Sequence, residues 1–218
     1  MKTFFAPGCA LNSYKPHLIS KTARFLQDAS VSDGLYLTCC KAQQTISGPV
    51  RLIVCCPGCA HKFGQMFPDS EIVSLWKVLC DTDFPFPDYR GRRMTIHDSC
   101  STRHRNSREM QDSARHLCRL MNIEIVDPEL TGDKSPCCGG SSADYETRRR
   151  MALERAAQFP EKDVVLYCTG CTRSFSITSV VPHHLLDLLY EEETKGLYPP
   201  SAIGEEHDNR QDFKSEPL

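Results

Sequence analysis

Apolar positions along this chain switch period several times. Met110, Ala114, Leu117, Cys118 and Met121 recur at helical spacing. The next segment, "NIEIV" (122–126), alternates like a strand. "DPELTGDKSP" reads as a loop by its Pro, Gly and Asp content. Over about 143–159 a helix resumes, with Met151, Leu153, Ala156 and Phe159 as its apolar members. "DVVLY" (163–167) reads as a buried strand, and "MTI" (94–96) as a shorter one. A last helix is expected to begin near Pro182, since proline suits a first turn. Earlier in the chain the same cues predict strands at 3–5, 35–38 and 50–54 and a helix at 16–29. Strands alternating with helices predict an α/β fold with short, mostly parallel sheets.

Composition adds one anomaly. The chain has 218 residues, 40% hydrophobic and 25% charged, with a net charge of −2. That is an ordinary globular balance, with no bias toward nucleic acid or an anionic membrane surface. No apolar run reaches the length of a membrane span, and "KTFFAPG" is too short for a secretory h-region. A cytoplasmic location is therefore expected. Against this plain background stand 13 cysteines. A reducing compartment disfavours a disulfide framework, and an odd number fits one poorly. Metal or cluster ligation is the remaining class.

The cysteine spacing is ordered. Cys9, then Cys39–Cys40, then Cys56-x-x-Cys59 form one series; Cys100, then Cys137–Cys138, then Cys168-x-x-Cys171 repeat it. The surroundings repeat as well: "RLIVCCPGCAHKF" parallels "VVLYCTGCTRSF", "LTCCKAQQ" parallels "SPCCGGSS", and "EIVSLWKVL" parallels "VVPHHLLDLL". Stations met twice in one order indicate duplication. The boundaries predicted are a degenerate first repeat at 1–90, a second at 91–198 and a polar, disordered tail at 199–218. Open parallel sheets place ligands beyond the carboxyl ends of their strands, where each half's cysteines fall, so each half is expected to form one pocket. A structural zinc takes four ligands and a cubane iron–sulfur cluster four cysteines. Five thiols per half exceed both, and suit an opened cluster in which one thiolate bridges two irons.

"TIHDSC", "PCCGG", "YCTGC" and "HHLLDLL" give this sequence its resemblance to the cysteine-rich CCG domain family, up to about residue 195. That family includes the catalytic B subunit of heterodisulfide reductase. It also has relatives in lactate-utilisation, glycolate oxidase and anaerobic glycerol-3-phosphate dehydrogenase systems. The resemblance implies a pseudo-twofold repeat holding one or two 4Fe-4S clusters of the non-cubane kind. Carried over, their ligands are Cys9, Cys39, Cys40, Cys56 and Cys59, and Cys100, Cys137, Cys138, Cys168 and Cys171. It implies an oxidoreductase that binds and reduces a disulfide or related thiol substrate. Electrons would come from a separate donor, a ferredoxin-like protein or a flavin subunit, because no Cys-x-x-Cys-x-x-Cys run is present. The alternatives are a non-catalytic electron-transfer or accessory subunit and a zinc-binding scaffold. The first half departs from the pattern: Lys41 follows its double cysteine, residues 41–55 are too few for a full helix, and Cys55 stands beside Cys56. Zinc is the alternative occupant there.

Other residues have plainer expectations. Cys118 and Cys80 are expected to be buried structural thiols, and Cys55 to be structural, with an accessory ligand as the alternative. His97 and Asp98 either hydrogen-bond sulfur near Cys100 or pack the strand end. His183 and His184 are expected to open a helix as packing or capping groups. "RRR" (148–150) is expected to be a solvated face, with docking to an acidic electron donor as the alternative.

Overall fold

Buried Leu18, Ile19, Thr22, Ala23 and Leu26 form one stripe on the longest helix of the first half, which opens with Pro16 at its first turn. A computed structural model describes residues 1–39, 42–104 and 107–195. Cys40, Lys41 and the expected tail at 199–218 lie outside the described residues. The first half runs β1 (Thr3–Ala6), α1 (Cys9–Tyr14), α2 (Pro16–Asp28), β2 (Gly34–Leu35), β3 (Arg51–Val54), α3 (Pro57–Met66), β4 (Glu71–Ser74) and α4 (Leu75–Cys80). The second runs β5 (Arg92–Ile96), a 3-10 helix at Cys100–His104, α5 (Ser107–Leu120), β6 (Ile123–Ile125), a 3-10 turn at Gly132–Lys134, α6 (Tyr145–Ala156), β7 (Asp163–Leu166), α7 (Thr169–Phe175), β8 (Val181–His184) and α8 (Leu185–Leu189).

Each half builds one four-stranded sheet, ordered β2-β1-β3-β4 and β6-β5-β7-β8. Every strand pair is parallel. The same strand order occurs twice, as duplication requires. Packing between the halves is reciprocal. Beside α4 of the first half lies α5 of the second, where Cys80 Sγ donates to the Ser113 carbonyl at 3.6 Å. Beside α2 of the first half lies the end of α8, where the Thr22 and Tyr190 hydroxyls meet at 2.9 Å. Ser74 and His184 hold equivalent places as the N-caps of α4 and α8, and the His184 ring meets Trp76 of α4 edge to face, with centroids 6.4 Å apart. This exchange is the pattern of a pseudo-twofold pair of repeats. One apolar core runs through both, from Phe5, Ile53 and Trp76 to Ile96, Val165 and Leu185. Each such side chain, fully buried, stabilises the fold by about 1.5–3 kcal/mol.

α7 has its counterpart in α3, but among the described residues α6 has none in the first half. Val164, Leu166, Cys171 and Phe175 form a separate apolar cluster in the second half, with Ala156 of α6 packed against it. In the first half, the described residues between Cys39 and Val50 hold neither helix nor strand.

The expectation at Pro182 is corrected. Pro182 lies in β8, paired with Val164, and the last helix begins at Leu185. β8 is an edge strand, which can accommodate a residue without an N–H. His184, not Pro182, marks the start of the helix: its Nδ1 accepts the Leu186 N–H at 3.2 Å as the N-cap. The α6 face is corrected too. Its buried residues are Ala152 and Arg155, while Leu153 is exposed.

Candidate metal centre

Each cysteine station follows the carboxyl end of a strand. Cys9 opens α1 after β1, and Cys39 comes four residues after β2. Cys56 is the N-cap of α3 and Cys168 the N-cap of α7, so Cys59 and Cys171 sit in the first turns of those helices. Cys100 opens its 3-10 helix after β5. Cys137 and Cys138 end the long loop after β6. Helix N-termini are places where a thiolate is favoured.

Glycines allow the close packing. Gly8 has φ +85°, and a Cβ there would stand 2.7 Å from Cys59 Sγ. A Cβ on Gly140 would meet the Gly170 carbonyl oxygen at 2.6 Å, so the double-cysteine loop and the Cys-x-x-Cys turn touch backbone to backbone. Gly139 has φ +75° and abuts Arg148 of α6. The glycines after the double cysteine thus serve a turn and its packing on α6 and α7.

The thiols converge in a row. Cys9 and Cys39 Sγ are 3.8 Å apart, Cys100 and Cys137 3.4 Å, and Cys138 and Cys171 3.2 Å. Two thiolates at about 2.3 Å from one tetrahedral metal stand about 3.8 Å apart, so these spacings are within one metal's reach. The two halves meet at the Cys-x-x-Cys turns. The Cys56 thiol is pushed up, first by its hydrogen bond to Cys168 and then by the one to Cys59. Cys168 is pushed down by its bonds with Cys171 and Cys56. Cys138 is held down by Cys137 and then Cys171, which are themselves pushed up as the donors. Sulfurs this close together offer a donor set whose chemistry fits a thiophilic metal. Cys9, Cys39, Cys56 and Cys59 of the first half are partly exposed, as are Cys100, Cys137 and Cys168 of the second, whereas Cys138 and Cys171 are buried.

Cys118 and Cys55 are fully buried, and burial raises both thiols, Cys118 to about 12. Cys80 is half-buried and rises to about 11 for the same reason. These three are structural thiols, as expected. Asp98 also has a structural role. Its carboxylate takes two bonds from Arg115, at 3.0 and 2.8 Å, and one each from the Tyr167 hydroxyl, the Thr131 hydroxyl and the Gly132 N–H. Burial pushes this carboxyl up, but the Arg115 guanidinium outweighs it and holds the group at about 2. His97 differs: one of its ring nitrogens lies within 4.8 Å of the Cys138 and Cys171 sulfurs. His183 bonds Asp163 at 2.8 Å, away from the thiols. Arg149 and Arg150 are exposed, and Arg150 pairs with Glu154 at 3.2 Å.

Sequence reasoning missed Arg155, whose side chain reaches His97 and Ser135. One signal was available: Arg155 falls three residues after Ala152, on the face of α6 that is buried.

Fold and thiols together define a candidate metal centre of clustered cysteines. Residues 94–176 match the family model described as the cysteine-rich domain, CCG. Among curated proteins, the chain is 23% identical over 151 residues to a protein of Chromohalobacter salexigens named as a probable membrane-anchored ferredoxin. That alignment takes in 60% of this chain and 22% of the relative, so the chain spans about a fifth of the protein it matches. No helix among the described residues is long and apolar enough to cross a membrane. Among solved structures, an aspartate racemase of Picrophilus torridus aligns with 87% of this chain and 91% of its own at 11% identity. Its TM-score is 0.34, and nothing about fold or activity follows from it.

Proposed function

We propose that this chain is an iron–sulfur electron-transfer protein with a cluster site in each half, the two sites facing one cleft. Cys100, Cys137, Cys138, Cys168 and Cys171 would hold the second-half cluster. Cys9, Cys39, Cys56 and Cys59 would hold the first, together with Cys40. The observation that carries this reading is the meeting of the two sets at Cys56 and Cys168. The cysteine-rich domain over residues 94–176 supports it, as does the ferredoxin name of the matched relative. Bound there, such clusters supply single-electron transfer.

The finer proposal is reduction of a small disulfide or related thiol substrate by non-cubane 4Fe-4S clusters. Cleaving a disulfide to two thiols takes two electrons and two protons. Two adjacent sites could each take one sulfur and pass one electron, with protons from solvent through the exposed side of the first-half thiols. The electrons would come from a separate ferredoxin-like or flavin-containing donor, and exposed Arg149 and Arg150 offer an acidic donor a docking face. The ferredoxin name of the relative also favours a plain relay without its own substrate.

Anaerobic loading with iron and sulfide, followed by metal analysis and electron paramagnetic resonance, tests the coarse proposal. A brown protein with cluster signals is expected. A colourless protein that retains only stoichiometric zinc would sink it and leave the scaffold alternative. Turnover of a small disulfide with a chemically reduced donor then separates reductase from relay.

A further inference from the structure

Arg155 is 1% exposed and has no acidic partner at ion-pair distance among the described residues. Its hydrogen-bond acceptors are neutral. Nη1 donates to Gln158 Oε1 at 2.9 Å, and Nη2 donates to the Leu130 carbonyl at 2.8 Å and to Ser135 Oγ at 3.2 Å. Nε donates to His97 Nδ1 at 3.4 Å. Behind it lies the Phe159 ring, 4.8 Å away. A charge buried among neutral groups is costly unless an opposite charge lies near.

His97 is equally buried, at 1% exposure. An arginine Nε–H can only donate, so Nδ1 must be the accepting nitrogen. The neutral ring then carries its proton on Nε2. That atom is buried and makes no hydrogen bond to any protein atom at ordinary distance. The ring sits within 4.8 Å of the Cys138 and Cys171 sulfurs, and Phe159 and Phe175 close its sides at 6.0 and 4.9 Å. The sulfurs are the groups available to receive the N–H.

We propose that Arg155 and His97 form a buried donor relay to the second-half site: Arg155 fixes the imidazole so that Nε2–H points at the sulfurs of Cys138 and Cys171, and the guanidinium offsets the negative charge of the loaded site. This rests on the iron–sulfur reading above. Hydrogen bonds to ligand sulfur raise the reduction potential of such sites, and a nearby positive charge acts in the same direction. His97 is a donor here and not a ligand, because a protonated Nε2 has no lone pair for metal. Arg155 is a positioning residue that acts through it.

The experiment has two readouts. In the metal-free protein, imidazole 15N resonances report the tautomer of His97. The Nε2–H form is expected, and an Nδ1–H form would overturn the proposal whether or not iron binds. In the iron-loaded protein, the potential of the second-half cluster is followed by redox titration. His97→Leu and Arg155→Met should keep the iron and shift that potential to more negative values. His97→Gln, whose amide nitrogen replaces Nε2–H, should stay near the parent, as should Arg155→Lys relative to Arg155→Met. Unchanged potentials in folded His97→Leu protein would refute the relay. Loss of iron from both His97 variants at parental circular dichroism would make His97 a ligand and refute it as well. If the parent takes up no iron while the Nε2–H tautomer is present, the iron–sulfur reading fails and the donor geometry stands.

Discussion

At the scale of single residues, thirteen cysteines divide by their surroundings and not by their numbers in the sequence. Cys118 faces apolar core on α5 and Cys138 faces Cys171 Sγ at 3.2 Å. Cys118→Ser should therefore leave bound iron unchanged, at a modest stability cost from a hydroxyl placed in apolar surroundings. Cys138→Ser should remove or alter the second-half cluster signal. Iron analysis and absorption spectra of the two variants check this, and the reverse pattern would overturn the ligand assignment. Asp98 makes a separate prediction. Its carboxyl sits at about 2 in the folded chain, against an ordinary value of about 3.9 unfolded. A group depressed in this way stabilises the fold above the unfolded value, and the stabilisation is lost as pH falls toward about 2. The shift corresponds to about 2–3 kcal/mol. Asp98→Asn should flatten that acid limb of the stability curve. It should also cost about 3–5 kcal/mol at neutral pH, because Arg115 is left without its buried partner. Denaturant unfolding at a series of pH values measures both effects, and an unchanged acid limb would count against the Asp98–Arg115 pair.

At the scale of elements, the PCCGG loop and the start of α7 are a single packed unit. Gly140 lies so near the Gly170 carbonyl that a methyl group would stand 2.6 Å from it, and a backbone cannot swing aside as a long side chain can. Gly140→Ala should lower stability by about 1–3 kcal/mol and weaken metal retention together, since the loop also carries Cys137 and Cys138. Gly58→Ala is the control, because its new methyl would meet Cys56 Sγ at an ordinary 3.7 Å. Thermal unfolding with iron analysis compares them, and equal behaviour would refute the packing account. The elements were unevenly legible in the sequence. β3 and β7 were plain as unbroken apolar runs, and α2 and α5 by their spaced apolar residues. β4 and β8 were hidden. "EIVS" and "VPHH" are short, and each runs straight into a helix, so neither shows a period of its own. Pro182 then reads as a helix opener when its place at a sheet edge is what admits it. In α6 the apolar letters misled: Leu153 is exposed while Arg155 is buried, because the hydrogen bonds that make an arginine tolerable there come from segments distant in sequence. The cysteine stations were legible because ligand spacing repeats as a sequence pattern. The contact between the two halves was not, since only the packing of two sheets brings Cys56 to Cys168.

At the scale of the whole molecule, duplication has produced two unequal halves. Both keep the same strand order, and both place thiols beyond the strand ends. The second half adds α6, and Cys138 and Cys171 are buried in the cluster it packs against. The first half lacks that cover among its described residues, and Cys9, Cys39, Cys56 and Cys59 are all partly exposed. The second set also has partly exposed members, Cys100, Cys137 and Cys168, but its Cys138 and Cys171 are buried, so full release of metal there requires α6 to move away from the Gly139–Gly140 turn. Local opening of a packed helix has a free-energy cost that an exposed site does not incur. Metal in the first half should leave sooner under graded anaerobic chelation, and the first half is the side on which a small substrate would enter. Cys9→Ser and Cys100→Ser variants, each disabling one set, identify which spectral component belongs to which half. The fast component should be missing from Cys9→Ser and the slow one from Cys100→Ser. If the site containing Cys100 empties first, the missing cover does not control exchange. If both empty together, the contact between Cys56 and Cys168 binds the two sets into one centre, and the picture of two separately exchanging sites is wrong.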